Sequence, residues 1–197
     1  MTKEEFIERQ PQTEEEKRLW EKVVEYENDY FEDFTLKPTS ILHNLLVYEI
    51  QDETGNFVET SEDPPYMELS WNYDFKIEDL DDCTGLCNKE SRIITIDPKY
   101  TDDPAVLLHE MIHAYISLFQ GDQTVVFLEC LLLRLYNELK TKIPDLEKRI
   151  IEHTHTIRQE DFINHGSHGL LFYLKSLDLD MRLGLPLGTV CGYGRDY

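Results

Sequence analysis

Ala105-Val106-Leu107-Leu108-His109-Glu110-Met111-Ile112-His113-Ala114-Tyr115 is the stretch on which the fold turns. Its apolar positions predict a helix, and on a helix residues i and i+4 stand one above the other. His109 and His113 therefore present both imidazoles toward one point. Glu110, next to the first imidazole, lies where it can reach a water held on a metal between them. Five residues thus combine two metal-binding donors with a carboxylate able to take a proton from that water near neutral pH. Local punctuation supports the helix. Asp102-Asp103-Pro104 offers an N-cap followed by proline at the first helical position, and Gln120-Gly121 offers a stop. Leu107, Leu108, Met111, Ile112, Tyr115, Ile116 and Phe119 make the segment strongly apolar, so much of it should be buried. Histidine and glutamate buried in such a helix need partners, and a metal is one.

Moving upstream, Thr13-Glu14-Glu15-Glu16 has the pattern of a capping box. Leu19, Trp20, Val23, Val24, Tyr26, Tyr30, Phe31 and Phe34 follow at helical spacing, an aromatic stripe suited to a core. Residues 1–12, polar and containing Pro11, read as a flexible arm. After Lys37-Pro38 the pattern changes. Residues 45–51 and 57–60 flank Asp52-Glu53-Thr54-Gly55-Asn56 as the arms of a hairpin, and residues 66–71 alternate as a half-buried strand. Residues 92–97 are a further strand. Downstream, residues 124–142 form a leucine-rich helix ending before Pro144, and residues 145–152 continue helically. Leu170, Leu171, Leu174, Leu177 and Met181 mark a last helix over residues 169–183, after which the chain is irregular. The expected fold class is α+β, a small antiparallel sheet packed with helices that include the one bearing His109 and His113.

A chain of 197 residues fits one domain, here residues 13–197, with a real core and no internal repeat. No apolar run reaches the roughly eighteen residues of a membrane span, because Glu129 and Arg134 interrupt the best of them. The first ten residues lack an apolar signal segment, so the expected location is intracellular, in cytoplasm or nucleus. Four cysteines, at 83, 87, 130 and 191, do not form a disulfide framework, and Cys83 and Cys87 have only a loose metal-ligand spacing with no second pair. The formal net charge of -21, from 40 acids against 19 bases, disfavours direct DNA binding and leaves a partner protein as the route to it. A basic protein substrate or partner is favoured by the same charge.

A catalytic zinc takes three protein ligands and keeps one position open. The extended motif with glycine at 116 and histidine at 119 is excluded by Ile116 and Phe119. Glu129 is a possible third ligand from the following helix. So are His153, His155, His165 and His168, of which His168 stands at the head of the last helix and is slightly favoured over His165.

Residues 83–90, Arg92-Ile93-Ile94-Thr95-Ile96-Asp97, the helix from Leu107 to Tyr115, and His168-Gly169-Leu170-Leu171-Phe172 occur in the order seen in SprT-like metallopeptidases, the Spartan-related group. Asn28-Asp29-Tyr30-Phe31 also resembles that family's N-terminal element. The resemblance covers roughly residues 20–180. It implies a zincin-like fold and a zinc peptidase in which His109, His113 and His168 hold Zn²⁺ and Glu110 is the catalytic acid/base. It also makes residues of about 122–160 a helical insert that could cover the cleft, bind a partner or enlarge the core. Spartan-type relatives act on proteins crosslinked to DNA, a role to which this acidic chain, without a basic stretch, is poorly suited. Glu160, Asp161 or a backbone carbonyl could orient a ligand imidazole, and Tyr115 and Tyr173 could face the oxyanion. The competing reading is an acidic protein-interaction module that keeps a structural or gated zinc site without proteolysis.

Overall fold

Thr13 opens the first helix, α1 (Glu14–Tyr30), with a complete capping box. The Glu16 N–H donates to Thr13 Oγ1 at 3.1 Å while the Thr13 N–H donates to the Glu16 carboxylate at 3.0 Å. Three glutamates in the first turn suit the positive end of the helix dipole. Leu19, Val23 and Glu27 form the buried stripe, and Phe31 and Phe34 carry it into the core. The computed structural model describes residues 13–34, 69–118, 125–155 and 168–192. The expected arm at 1–12 and hairpin at 45–60 lie outside these residues.

The expected strand over residues 66–71 is corrected where it can be seen. Leu69–Asn72 is a single helical turn, α2. Its first amides, those of Leu69 and Ser70, donate to the buried Glu27 carboxylate of α1, so a tertiary cap overrides the alternating pattern. The strand comes directly afterwards, as β1 (Asp74–Ile77), followed by β2 (Gly85–Asn88) and β3 (Ile93–Ile96).

The sheet is mixed, not antiparallel throughout, which corrects the second expectation. Strand order is β1-β3-β2, with β2 antiparallel and β1 parallel to β3. The segment between β1 and β2 crosses to the far side, leaving a slot that β3 fills after a tight hairpin. Asp97 pins that crossing by accepting from the amides of Leu80 (3.1 Å) and Lys99 (2.9 Å), and these donors hold its carboxyl below the usual range. At the hairpin, Asn88 Oδ1 accepts from the amides of Glu90 and Ser91, and Arg92 turns the chain at φ 54°. Ile94 and Ile96 of the central strand are fully buried.

Helix α3 (Pro104–Leu118) runs through the middle of the molecule. Asp103 caps it by accepting from the Ala105 amide at 2.9 Å, and every residue from Ala105 to Ile116 is buried. Strands β2 and β3 pack on it, as do α6 (Leu170–Leu183) and the short α7 (Thr189–Gly192). Gly184, at φ 68°, ends α6 in the left-handed conformation that closes helices. Two further helices, α4 (Val125–Lys142) and α5 (Leu146–Thr154), cover α6. Leu128, Leu131, Leu135 and Leu139 of α4 are buried, so this segment of the expected insert enlarges the core. Within α6 even Lys175 is fully enclosed, donating to Asp178 at 2.9 Å and to the Tyr30 carbonyl at 2.7 Å. No helix among the described residues is long and apolar enough to cross a membrane.

Candidate metal centre

Helix α3 stacks His109 and His113 on one face, and the turn entering α6 brings His168 against them. Nε2 of His109 lies 3.1 Å from Nε2 of His113 and 3.2 Å from Nε2 of His168. All three ligand atoms fall within 4.8 Å of one another, and they are the metal-capable cluster found among the described residues. The His109 ring is oriented by its other nitrogen, Nδ1, which is 2.8 Å from the Val190 carbonyl and donates to it. That tautomer, assigned from the hydrogen bond, leaves a single lone pair on His109 Nε2. One lone pair cannot accept from two neighbouring rings in different directions. A cation shared by the three imidazoles would resolve the arrangement: nitrogens about 2.0–2.1 Å from a tetrahedral zinc stand about 3.3 Å apart, close to the two spacings from His109. The three imidazoles are a set that could bind a metal ion.

Electrostatics prepare the same form. His109 is 4 % exposed and His113 is 8 % exposed. Burial pushes His109 down to about 4, helped by the neighbouring His168 and opposed by the hydrogen bond to Val190. Burial, then His109 and His168, pushes His113 down to about 2. Both rings are therefore neutral at ordinary pH, the state in which imidazole ligates.

Phe172 packs against all three rings. Its ring stacks on His113 (centroids 4.5 Å apart, planes at 29°) and meets His109 and His168 edge-on at 4.7 and 4.9 Å. Phe172, in the first turn of α6, follows His168 by four residues, so the start of this helix sets the packing partner beside the imidazole of the turn that enters it. From α5, His153 donates to the His168 carbonyl at 2.9 Å and stacks on Tyr173 with ring centroids 4.0 Å apart.

Glu110 is 3 % exposed and sits under the edge of the sheet. A methyl group on Gly85 of β2 would stand 2.9 Å from Glu110 Cγ, 3.0 Å from Glu110 Oε1 and 3.0 Å from Val106. Only a glycine lets the strand approach this closely. The carboxylate is also felt by two thiols. Burial and then Glu110 push Cys87 up to about 12, and the same two causes raise Cys83. Held as thiols, they make poor metal ligands.

The structure thus brings His109, His113 and His168 together, with Glu110 next to His109 in the chain and its side chain against β2. Glu129 is exposed on α4 and His155 is exposed at the end of α5, neither belonging to the cluster. Tyr115 is a core residue: its hydroxyl donates to Glu27 and its ring stacks on Phe31. Glu160, Asp161 and His165 lie outside the described residues. Sequence reasoning left open the acceptor that orients His109, counted His153 among the possible third ligands where the structure instead sets it on the His168 carbonyl, and gave Phe172 only as part of a motif and Gly85 no role. A backbone carbonyl has no sequence signature, whereas the packing of Phe172 on the imidazoles could have been read from its four-residue spacing from His168. Comparisons with protein families, with curated proteins and with solved structures give no match.

Proposed function

We propose that this chain is a zinc-dependent peptidase with a zincin-like, SprT-like site, hydrolysing peptide bonds of a protein substrate. The observation that carries this reading is the convergence of three imidazoles, together with a buried glutamate that follows the first of them in sequence. His109, His113 and His168 hold the ion in this reading. Bound zinc would lower the pKa of a water into the neutral range and polarise the scissile carbonyl. Glu110 accepts the proton of the attacking water and passes it to the leaving amine. Its place in the chain, adjacent to a ligand on the same rigid helix, holds the carboxylate at short range without a mobile loop.

A peptide is favoured over other acyl substrates by β2. This strand is the edge of the described sheet and its Gly85 touches Glu110, so an extended chain pairing with it would lie across the reacting groups. The charge of -21 favours basic protein substrates and works against direct contact with DNA.

Glu110→Gln tests the reading. The variant should retain one zinc per chain and lose cleavage of denatured and basic proteins; turnover like that of the unaltered protein would overturn the role of Glu110. Zinc-loaded protein that stays inactive on all these substrates, with and without DNA, would instead favour an interaction module.

A further inference from the structure

Two residues outside the imidazole cluster are joined to it by short hydrogen bonds. Asp180, fully buried on α6, accepts from the Gly188 amide at 2.6 Å through Oδ2 and from the Val190 amide at 2.9 Å through Oδ1. Val190 is itself fully buried, and its carbonyl is the acceptor for His109 Nδ1–H at 2.8 Å. The imidazole and the carboxylate are thus linked through the backbone of one residue.

We propose that Asp180 is a positioning residue for the metal centre, fixing the Val190 carbonyl that sets the orientation and tautomer of His109. The inference rests on the reading of His109, His113 and His168 as metal ligands. Helix α7 has only four residues and cannot hold a carbonyl in place by its own hydrogen bonds. A carboxylate buried at its first amides supplies the missing restraint, since charged acceptors make the stronger hydrogen bonds to N–H groups. Gly188, at φ 98°, gives the turn the left-handed geometry that aims its amide at Asp180. The negative charge stays one residue away from the ring, so His109 meets a neutral acceptor.

The arrangement also distributes labour along α6. His168 stands in the turn that enters this helix and Asp180 lies near its far end, so its packing bears on one ligand beside its start and on another through Val190. Movement of α6 relative to α3 would disturb both at once. Outer partners of ligating histidines are worth about 10–100-fold in metal affinity, and a partner one residue further out falls at the lower end of that range.

The test uses the full chain and two variants. Asp180→Asn replaces one acceptor oxygen with an NH₂ that faces an amide donor. Gly188→Ala strains the same turn without touching the carboxylate, and its methyl meets nothing within 4 Å. Zinc affinity is measured by competition with a chromophoric chelator, the Co²⁺-loaded visible spectrum is recorded, and folding is followed by circular dichroism. Folded Asp180→Asn should bind zinc about tenfold more weakly than the unaltered protein, with a changed Co²⁺ band. Zinc affinity within about twofold together with an unchanged Co²⁺ spectrum would overturn the role of Asp180 while leaving the ligand set intact. Should Asp180→Asn fail to fold, Gly188→Ala decides by the same two readouts. If the unaltered protein binds no zinc, the ligand reading fails first and this inference with it.

Discussion

Tyr115 donates its hydroxyl to the buried carboxylate of Glu27 across 2.6 Å, tying the histidine-bearing helix to the first helix of the chain. The same carboxylate caps the turn at Leu69 and Ser70, so one side chain joins three elements. Burial raises the Glu27 pKa, and its hydrogen bonds from Ser70, Tyr115 and the Leu69 amide pull the other way. Tyr115→Phe removes a donor to a charged group and should cost about 1.5–3 kcal/mol in urea unfolding. Zinc affinity should change little, because Tyr115 faces away from the imidazoles. A variant as stable as the parent would show that the contact contributes nothing net.

Gly85→Ala should separate binding from chemistry. The added methyl forces Glu110 to move while leaving the imidazoles in place. Zinc affinity is expected to stay near that of the parent, and peptidase turnover to fall about tenfold to a hundredfold, the scale of a small misplacement of a reacting group. Unchanged turnover would mean that Glu110 adjusts without loss, or that it is not the base.

Removing the third imidazole should cost more than removing its neighbour in sequence. His168→Ala is expected to weaken zinc binding by more than about a hundredfold, exceeding the effect of an outer partner. His165→Ala should do far less. The reverse ranking, read by chelator competition, would reassign the ligand.

Acid should destabilise the zinc-free protein through its histidines. With the folded pKa of His109 near 4 and that of His113 near 2, against 6.5 for a free imidazole, the unfolded chain binds protons that the folded chain refuses. Stability therefore rises with pH between about 4 and 6.5, by about 1.4 kcal/mol per pH unit for each ring. Glu27 and Asp180, raised by burial, act in the opposite sense as pH climbs above the free carboxylate range. The histidine part is isolated by comparison: His113→Phe should show a slope shallower by about 1.4 kcal/mol per pH unit in urea titrations. Parallel slopes would contradict it.

Local chemistry was legible where the signal is local. The capping box at Thr13, the Asp103-Pro104 start of the central helix and the spacing of His109 and His113 each predict what is found, because each depends on residues within one or two turns. The leucine-rich helix and the last helix were legible by periodicity for the same reason. Long-range pairing was not. Nothing in Asp74–Ile77 announces a parallel partner at Ile93–Ile96, and the alternation at residues 66–71 gives no hint that Glu27, some forty positions earlier, caps Leu69. His168 was preferred only narrowly over His165 on pattern, since which loop histidine reaches a helix depends on how α6 packs.

Phe172 gives the cluster a property of its own. With an aromatic ring packed against all three imidazoles, each ring is held in place by the core around it. The conformational cost of gathering them is met by the core during folding. An ion bound there would meet a cradle already formed by folding, so capture would be quick and an ion of the wrong radius would find walls that do not yield.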